Sequence, residues 1–231
     1  MNNQTICLNM IVKNEENIII NTLNNIIEKI NIHYWVICDT GSTDKTPELI
    51  INFFKEKDIS GELILDTWKN FGYNRTKALE YAYNKTDFVF IFDADDRIVG
   101  DLILPKLKKN YAYRLQFGNG MQFKRVSLLC NNIKWYYSGV IHEIIDTKQN
   151  YFLETINGNY HIAVNVEVSD RNKKGKKKFY NDAQLLIKEW TNKIERRSRI
   201  GFYIAECFRF AGKQYWNKSI EWYKKCINEK K

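Results

Sequence analysis

The sequence predicts an α/β fold, with a mixed sheet flanked by helices and a helical segment at the C-terminus. Three observations predict it. Through about the first hundred residues, short apolar runs rich in β-branched and aromatic side chains alternate with amphipathic stretches. From about Tyr111 the runs become strand-like pieces with no helical pattern between them. After the charged stretch 170–178, helical periodicity carries to the end of the chain.

Residues 5–12 read as the first strand, and 15–29 as a helix that gathers Ile18, Ile19, Leu23, Ile26 and Ile27 on one side. Residues 35–38 form the next strand. A helix over 47–57 follows, opened by Thr46 as a cap, with Pro47 at the first position, where its missing N–H leaves no bond unmade. Strand 62–65, helix 74–83 and strand 88–92 complete an alternation that requires parallel pairing with right-handed crossovers. The pieces 113–117, 124–130, 140–145, 151–156 and 160–164 extend the sheet in mixed fashion. Helices at 179–191, 196–211 and 216–228 close the chain, with Gly212 punctuating the last pair. The expected division is a catalytic domain over 1–170 and a basic helical segment over 171–231.

A chain of 231 residues, 44% of them hydrophobic, can bury one full core and carry a small further module. The formal charge of +9 is unevenly distributed: residues 171–231 hold 18 basic and 6 acidic side chains, net +12, and the rest of the chain is net −3. Such a surface suits nucleic acid, an anionic membrane, a diphosphate, or simply solvent. Cys7, Cys38, Cys130, Cys207 and Cys226 are scattered without a C-x-x-C spacing, so buried free thiols in a reducing compartment are expected. With no leader pattern and no long apolar run, the expectation is a soluble, cytoplasmic protein.

In open parallel sheets ligands bind beyond the carboxyl ends of the strands, and here each of those ends is polar. The first ends on Lys13-Asn14-Glu15-Glu16, the second on Asp39-Thr40-Gly41-Ser42, the third on Asp66-Thr67-Trp68 and the fourth on Asp93-Ala94-Asp95-Asp96. The pair Asp93 and Asp95, directly after the apolar run 88–92, can share a hard divalent cation that keeps positions open for phosphate oxygens. The competing reading is an acidic turn that caps the next element, with Asp96 as that cap.

These blocks resemble family 2 glycosyltransferases of the GT-A (nucleotide-diphospho-sugar transferase) fold, in the branch of lipopolysaccharide core glucosyltransferases and bacteriocin glycosyltransferases. The resemblance rests on Met10-Ile11-Val12-Lys13-Asn14-Glu15-Glu16, the run from Asp39 to Thr46, the run from Trp68 to Arg75, and Phe92-Asp93-Ala94-Asp95-Asp96. It implies an inverting, metal-dependent hexosyltransferase that uses a nucleotide-diphospho-sugar, UDP-linked hexose or N-acetylhexosamine being expected, with Mn²⁺ or Mg²⁺ as cofactor. The acceptor would be a glycan, lipid or protein; nucleic acid is not an expected partner.

The resemblance also implies roles. Asp39 would accept a hydrogen bond from the base, the alternative being a cap for the following turn. Glu15 or Glu16 would sit near the ribose, although acids in a first helical turn are stabilising in themselves. Arg75 is a fork able to reach base or phosphate, with an ordinary ion pair as alternative; Asn74 beside it would bind the nucleotide sugar or cap its helix. Asp95 would hold the metal, with Asp93 supporting ribose or metal. Glu143, in Gly139-Val140-Ile141-His142-Glu143, would be the general base, shielded by Trp135, the alternative being a polar position on an edge strand. His161 would complete the metal shell or serve as a core histidine. Arg171, Lys173 and Lys178 would close over the diphosphate or form a solvated basic loop. The last two helices resemble a tetratricopeptide hairpin, a packing element or a surface for homodimer formation.

Two other functions share the α/β half. A sugar nucleotidyltransferase needs a glycine-rich phosphate loop after the first strand, where this chain has Lys13-Asn14-Glu15-Glu16. A basic nucleic-acid or partner-binding module accounts for the +12 segment and leaves the acidic strand ends unexplained.

Overall fold

A computed structural model of the protein describes residues 4–164, 175–192 and 196–229. In chain order the elements are β1 (Ile6–Val12), α1 (Ile19–Lys29), β2 (Tyr34–Asp39), α2 (Thr46–Glu56), β3 (Gly61–Leu65), α3 (Phe71–Ala82), β4 (Phe88–Ile91), β5 (Arg97–Gly100), β6 (Tyr111–Phe117), β7 (Phe123–Cys130), β8 (Trp135–Ser138), β9 (Ile144–Thr147), β10 (Phe152–Thr155), β11 (Tyr160–Ala163), α4 (Gly175–Asn192), α5 (Arg197–Ala211) and α6 (Trp216–Asn228). The described residues divide into two compact units. The first is drawn from Met1–Lys69, Tyr73–Tyr137 and Ile145–Ser169, the second from Asn70–Gly72, Ser138–Ile144 and Asp170–Lys231. The second therefore takes in two short segments from within the span expected for the catalytic domain.

The first unit is built on a nine-stranded sheet of order β3-β2-β1-β4-β7-β6-β11-β5, with β10 added alongside β6. Strands β3, β2, β1 and β4 run parallel, as the strand and helix alternation predicts. β7 is antiparallel to both β4 and β6. All four residues of β4 are buried, and in β1 every residue but Ile11 is. Such strands read as continuous apolar runs because both faces are covered. The polar exception in β1, Asn9, is also buried, and its amide donates to the carbonyls of Val36 at 3.2 Å and Ala78 at 2.9 Å.

Helix α1 holds the segment after β4 by two buried polar contacts. Thr22 Oγ1 donates to the Ala94 carbonyl at 2.6 Å, and Asn25 exchanges two hydrogen bonds with the backbone of Ile98 at 3.0 and 2.7 Å. The turn that carries Asp93 and Asp95 is thereby fixed against the rest of the unit. α1 starts later than its periodicity predicts, because Asn14 is left-handed (φ 56°) and the Glu15 carbonyl first closes a turn with the amides of Ile18 and Ile19.

Two differences concern the strands. The strand expected over 140–145 is broken: Gly139 (φ 118°) and His142 (φ 51°) turn the chain through 139–143, and only Ile144 and Ile145 are extended, at the start of β9, which pairs with β8. β5 is a further strand, paired antiparallel to β11, that carries no clear apolar pattern since only Ile98 is buried. In the second unit, α4, α5 and α6 bury Leu186, Ile204, Ala205, Phe208 and Trp222 in a core of their own. All five cysteines are free and buried, and burial pushes the Cys7, Cys38 and Cys207 thiols up to about 12. No described helix is long and apolar enough to cross a membrane.

Gly61 is required by a close approach. It pairs with Trp35 across β2 and β3, and a Cβ at this position would meet the indole at 2.3 Å. That ring is held by a stack on Phe54, centroids 4.5 Å apart, and by Nε1 donating to the Ile59 carbonyl at 3.0 Å. Gly61→Ala is expected to lower stability by about 1–3 kcal/mol through overpacking. Urea unfolding should show a reduced midpoint at unchanged slope.

Candidate functional site

The loops beyond β1 and β2 are locked to each other. The Asn14 amide N–H donates to Ser42 Oγ at 2.9 Å, and Asn14 Oδ1 accepts from the Thr43 N–H at 2.8 Å. The Glu15 N–H donates to Thr46 Oγ1 at 2.8 Å, and Thr46 Oγ1 in turn donates to Asp44 Oδ1 at 2.6 Å. Glu16 Oε2 accepts from the Lys45 N–H at 3.1 Å. Burial opposes ionisation of Asp44, but the hydrogen bonds from Thr46 and Glu16 outweigh it and hold its carboxyl below the usual carboxylate range. Glu15 is half-buried within this framework, and Thr46 is the first residue of α2 rather than the expected cap: Lys45 takes the cap position without a side-chain bond, and the Thr46 hydroxyl serves Glu15 and Asp44 instead.

Asp39, the last residue of β2, is 3% exposed. Its Oδ1 accepts from the backbone N–H groups of Gly41 at 2.9 Å and Ser42 at 2.8 Å, a turn that needs the positive φ of Gly41. Its Oδ2 is buried and has no hydrogen-bond partner among the described residues. A buried acceptor oxygen left this way is costly, and an N–H donor from a ligand satisfies it.

Asn74 takes a different part from the ligand contact read from the sequence. It is fully buried in α3, which begins at Phe71, so it is not a helix cap either. Its Oδ1 accepts from the Lys69 N–H at 3.0 Å, and its Nδ2 donates to Asp66 Oδ2 at 3.2 Å and the Thr67 carbonyl at 3.1 Å. Both ends of the amide are thus used to hold the loop after β3.

Arg75, one residue on, reaches Asp93. Its guanidinium meets Asp93 Oδ1 at 2.5 Å, and Arg125 from β7 meets Asp93 Oδ2 at 3.2 Å and Asp96 Oδ2 at 3.3 Å. The Arg125 guanidinium also lies 4.1 Å from the centroid of the Phe117 ring. Burial alone would raise the Asp93 carboxyl, but the charges of Arg75 and Arg125 and the hydrogen bonds they donate hold it well below the usual carboxylate range. Asp96, read as a possible cap, is buried and belongs to this cluster. Arg125 is not among the residues expected from the sequence; the one signal for it is an arginine on a strand that ends in the buried Leu128-Leu129-Cys130.

Asp95 is half-buried on the turn between β4 and β5. His161 lies on β11, paired with Val99 of β5. Among the described residues no three His, Cys, Asp or Glu side chains form a group able to hold a metal, so His161 is not gathered with Asp93 and Asp95 into one ligand set. Arg171 and Lys173 lie outside the described residues.

Glu143 and Lys178 belong to the second unit. Glu143 is half-buried in the loop between β8 and β9. A Cβ on Gly139 would come within 3.1 Å of Glu143 Cα, so the glycine fixes this loop by both contact and positive φ. Lys178 stands in the first turn of α4, its ammonium 5.4 Å from the Phe179 ring centroid.

Loops at the carboxyl ends of a parallel sheet that offer a partnerless carboxylate oxygen, two guanidinium groups and a further carboxylate form a setting for a nucleotide diphosphate. The fold is that of the GT-A class. A mannosyltransferase from Pyrobaculum calidifontis, solved with GDP-Man and Mn²⁺, superimposes with a TM-score of 0.54 at 13% identity, over 98% of this chain and 86% of that one. TarS from S. aureus, solved with UDP-GlcNAc, gives 0.49 at 14% identity, over 96% and 81% of the two chains. Glucosyl-3-phosphoglycerate synthase from Mycobacterium tuberculosis, solved with Mg²⁺ and UDP, gives 0.33 at 19% identity, over 41% and 34%. Residues 7–166 match the sequence model of glycosyl transferase family 2, and the chain belongs to that family; it is a glycosyltransferase. A search of curated proteins finds no match.

The Asp93 cluster predicts a pH dependence. A carboxyl lowered in the folded state contributes stability that is fully present above the unfolded aspartate value near about 4 and is lost as pH falls below it. Asp93→Asn removes the charge that both guanidinium groups meet, while Arg125 keeps Asp96. Arg125 is 36% exposed, so the expected cost at neutral pH is about 2 kcal/mol, less than the roughly 3–5 kcal/mol of a fully buried pair. Urea titrations should show the gap between wild type and variant narrowing as pH falls from 5 to 3.

Proposed function

We propose that the protein transfers a sugar, with inversion, from a UDP-linked hexose or N-acetylhexosamine to an acceptor hydroxyl, with the help of a divalent cation. The observation that carries the reading is the buried, partnerless Oδ2 of Asp39 at the end of β2. An imide N–H of a base is the donor it lacks, and the two backbone N–H groups on Oδ1 keep the carboxylate oriented for it.

In this reading Arg75 and Arg125 supply positive charge beside the diphosphate while Asp93 and Asp96 hold both in place. Asn74 supports the loop beneath them, and Glu15 borders the ribose. The donor set fits a hard cation: Asp95 provides an oxygen ligand, and Mg²⁺ or Mn²⁺ takes one or two carboxylates together with phosphate oxygens. Such an ion, held by Asp95, supplies charge that stabilises a leaving diphosphate. Lys178, with Arg171 and Lys173, adds further cations for the same leaving group. Glu143 accepts the proton of the acceptor hydroxyl as its oxygen bonds to the sugar carbon and the bond from that carbon to the diphosphate oxygen breaks.

Residues 1–170 act here as the catalytic domain and 171–231 as a helical segment that resembles a tetratricopeptide hairpin and offers a surface for dimerisation. The close contact of α5 and α6 supports that resemblance. Ser219 Oγ donates to the Ala205 carbonyl at 2.8 Å, and a Cβ on Gly201 would meet Cys226 Cβ at 3.0 Å.

UDP with Mn²⁺ is expected to raise the melting temperature. At about a hundredfold excess over Kd the binding adds about 2.7 kcal/mol. Asp39→Asn turns the base-facing oxygen into an amide and should weaken UDP by about 10- to 100-fold. Asp95→Asn should remove the cation-dependent part of the shift and of donor hydrolysis. Glu143→Gln should keep the UDP shift and slow transfer by about 10²- to 10⁴-fold. A larger shift with GDP than with UDP would refute the uridine assignment, and loss of donor affinity in Glu143→Gln would refute its role as base.

A further inference from the structure

The second unit contains a cavity of about 370 Å³, a size at the lower end of small-molecule sites. One wall is the loop that carries Glu143: Gly139, Ile141 and His142 line the cavity, and Gly139 packs against the Glu143 backbone. Further lining comes from α4 and α5 and the residue before α5, Arg196. Ile141, Leu186 and Ile200 are buried and provide an apolar floor.

The polar groups of the walls are weighted toward positive charge. Arg196 and Arg199 line the cavity against one carboxylate, Glu189, whose Oε2 accepts the Val140 N–H at 3.2 Å. Arg199 pairs with no carboxylate among the described residues. Its Nη2 donates to the His142 carbonyl at 3.1 Å, and its guanidinium lies 4.7 Å from the Tyr203 ring centroid. Tyr203 is in turn stacked on His142, with centroids 4.1 Å apart and planes 8° from parallel. The fork is therefore positioned by a carbonyl and an aromatic face, which neutralise no charge. Arginines open α5 with no acidic residue in its first turn, against the preference of a helix N-terminus for anions. Asn192 and Ser138 add hydrogen-bonding groups for hydroxyls.

We propose that this cavity is an acceptor subsite for a glycoside bearing an anionic group, a phosphate or a carboxylate, which pairs with Arg199. The sugar ring lies on the apolar floor, and its hydroxyls reach Asn192 and Ser138. The inference rests on the glycosyl-transfer reading above and names the class of acceptor. The charge of the wall excludes neutral sugars as the preferred ligand, since a guanidinium opposite a neutral group gains no charge-assisted bond.

The test uses the full chain and matched panels: glucose, galactose and mannose, their 6-phosphates, and their uronic acids. Calorimetric titration should show at least one anionic sugar binding about tenfold or more tighter than its neutral parent. Arg199→Gln should close that gap, Arg199→Lys should retain part of it, and neither should change UDP binding. Inorganic phosphate alone should bind more weakly than the sugar phosphate. With a donor that the protein hydrolyses, the bound anionic sugar should raise nucleotide release, and its neutral parent should not. Equal binding of neutral and anionic sugars, an unchanged gap in Arg199→Gln, phosphate binding as tightly as the sugar phosphate, or no effect on nucleotide release would each overturn the proposal. Failure of UDP to bind the wild type refutes the donor reading separately, whatever the cavity binds.

Discussion

The carboxylate of Asp93 follows a strand whose four residues are all buried, and its ionised form is tolerated there because two guanidinium groups meet it. Arg75 comes from α3 and Arg125 from β7, so one aspartate ties the crossover helix after β3 to the antiparallel extension of the sheet. Asp96 gives Arg125 a second anion, and Thr22 and Asn25 of α1 hold the backbone on which both aspartates stand. The turn after β4 is thus organised by charge on one side and by buried hydrogen bonds on the other. Such an arrangement keeps positive groups in place before any phosphate arrives, which is the condition for electrostatic stabilisation without reorganisation.

Much of the parallel half was legible in the sequence because a strand covered on both faces must be apolar and must leave its polar residues at its ends. The runs around Leu8, Ile37 and Phe90 follow that rule, and Asp39, Asp93 and Asp95 stand at or just past their ends. Residues 140–143 depart from the strand expected over 140–145. Their apolar content suits a strand, but Gly139 and His142 adopt positive φ, and no periodicity reports a backbone angle. β5 was hidden by the opposite fault, with Ile98 as its one buried side chain.

The site residues divide along a similar line. Asp39 stands out at a strand end, yet its partnerless oxygen depends on how the Gly41 and Ser42 amides fold back, which only geometry displays. Asn74 looked like a ligand or a cap because those are the local uses of asparagine; its actual partners lie five to eight residues earlier, in a loop with no regular pattern. Arg125 is 32 residues from Asp93 in the chain, and one sequence gives no means of pairing them. The cavity beside Glu143 is assembled from a loop and two helices separated by some forty residues, and its stacked His142 and Tyr203 lie 61 positions apart.

The buried thiols carry a consequence for anyone who handles this protein. Cys7, Cys38 and Cys130 lie in the first unit and Cys207 and Cys226 in the second, all shielded from solvent, and three of them resist ionisation at neutral pH. The folded chain is therefore nearly silent toward alkylating reagents, whereas an opened unit reveals its own cysteines. Peptide mapping after a timed pulse of such a reagent separates the loosening of one unit from that of the other, with no engineered probe.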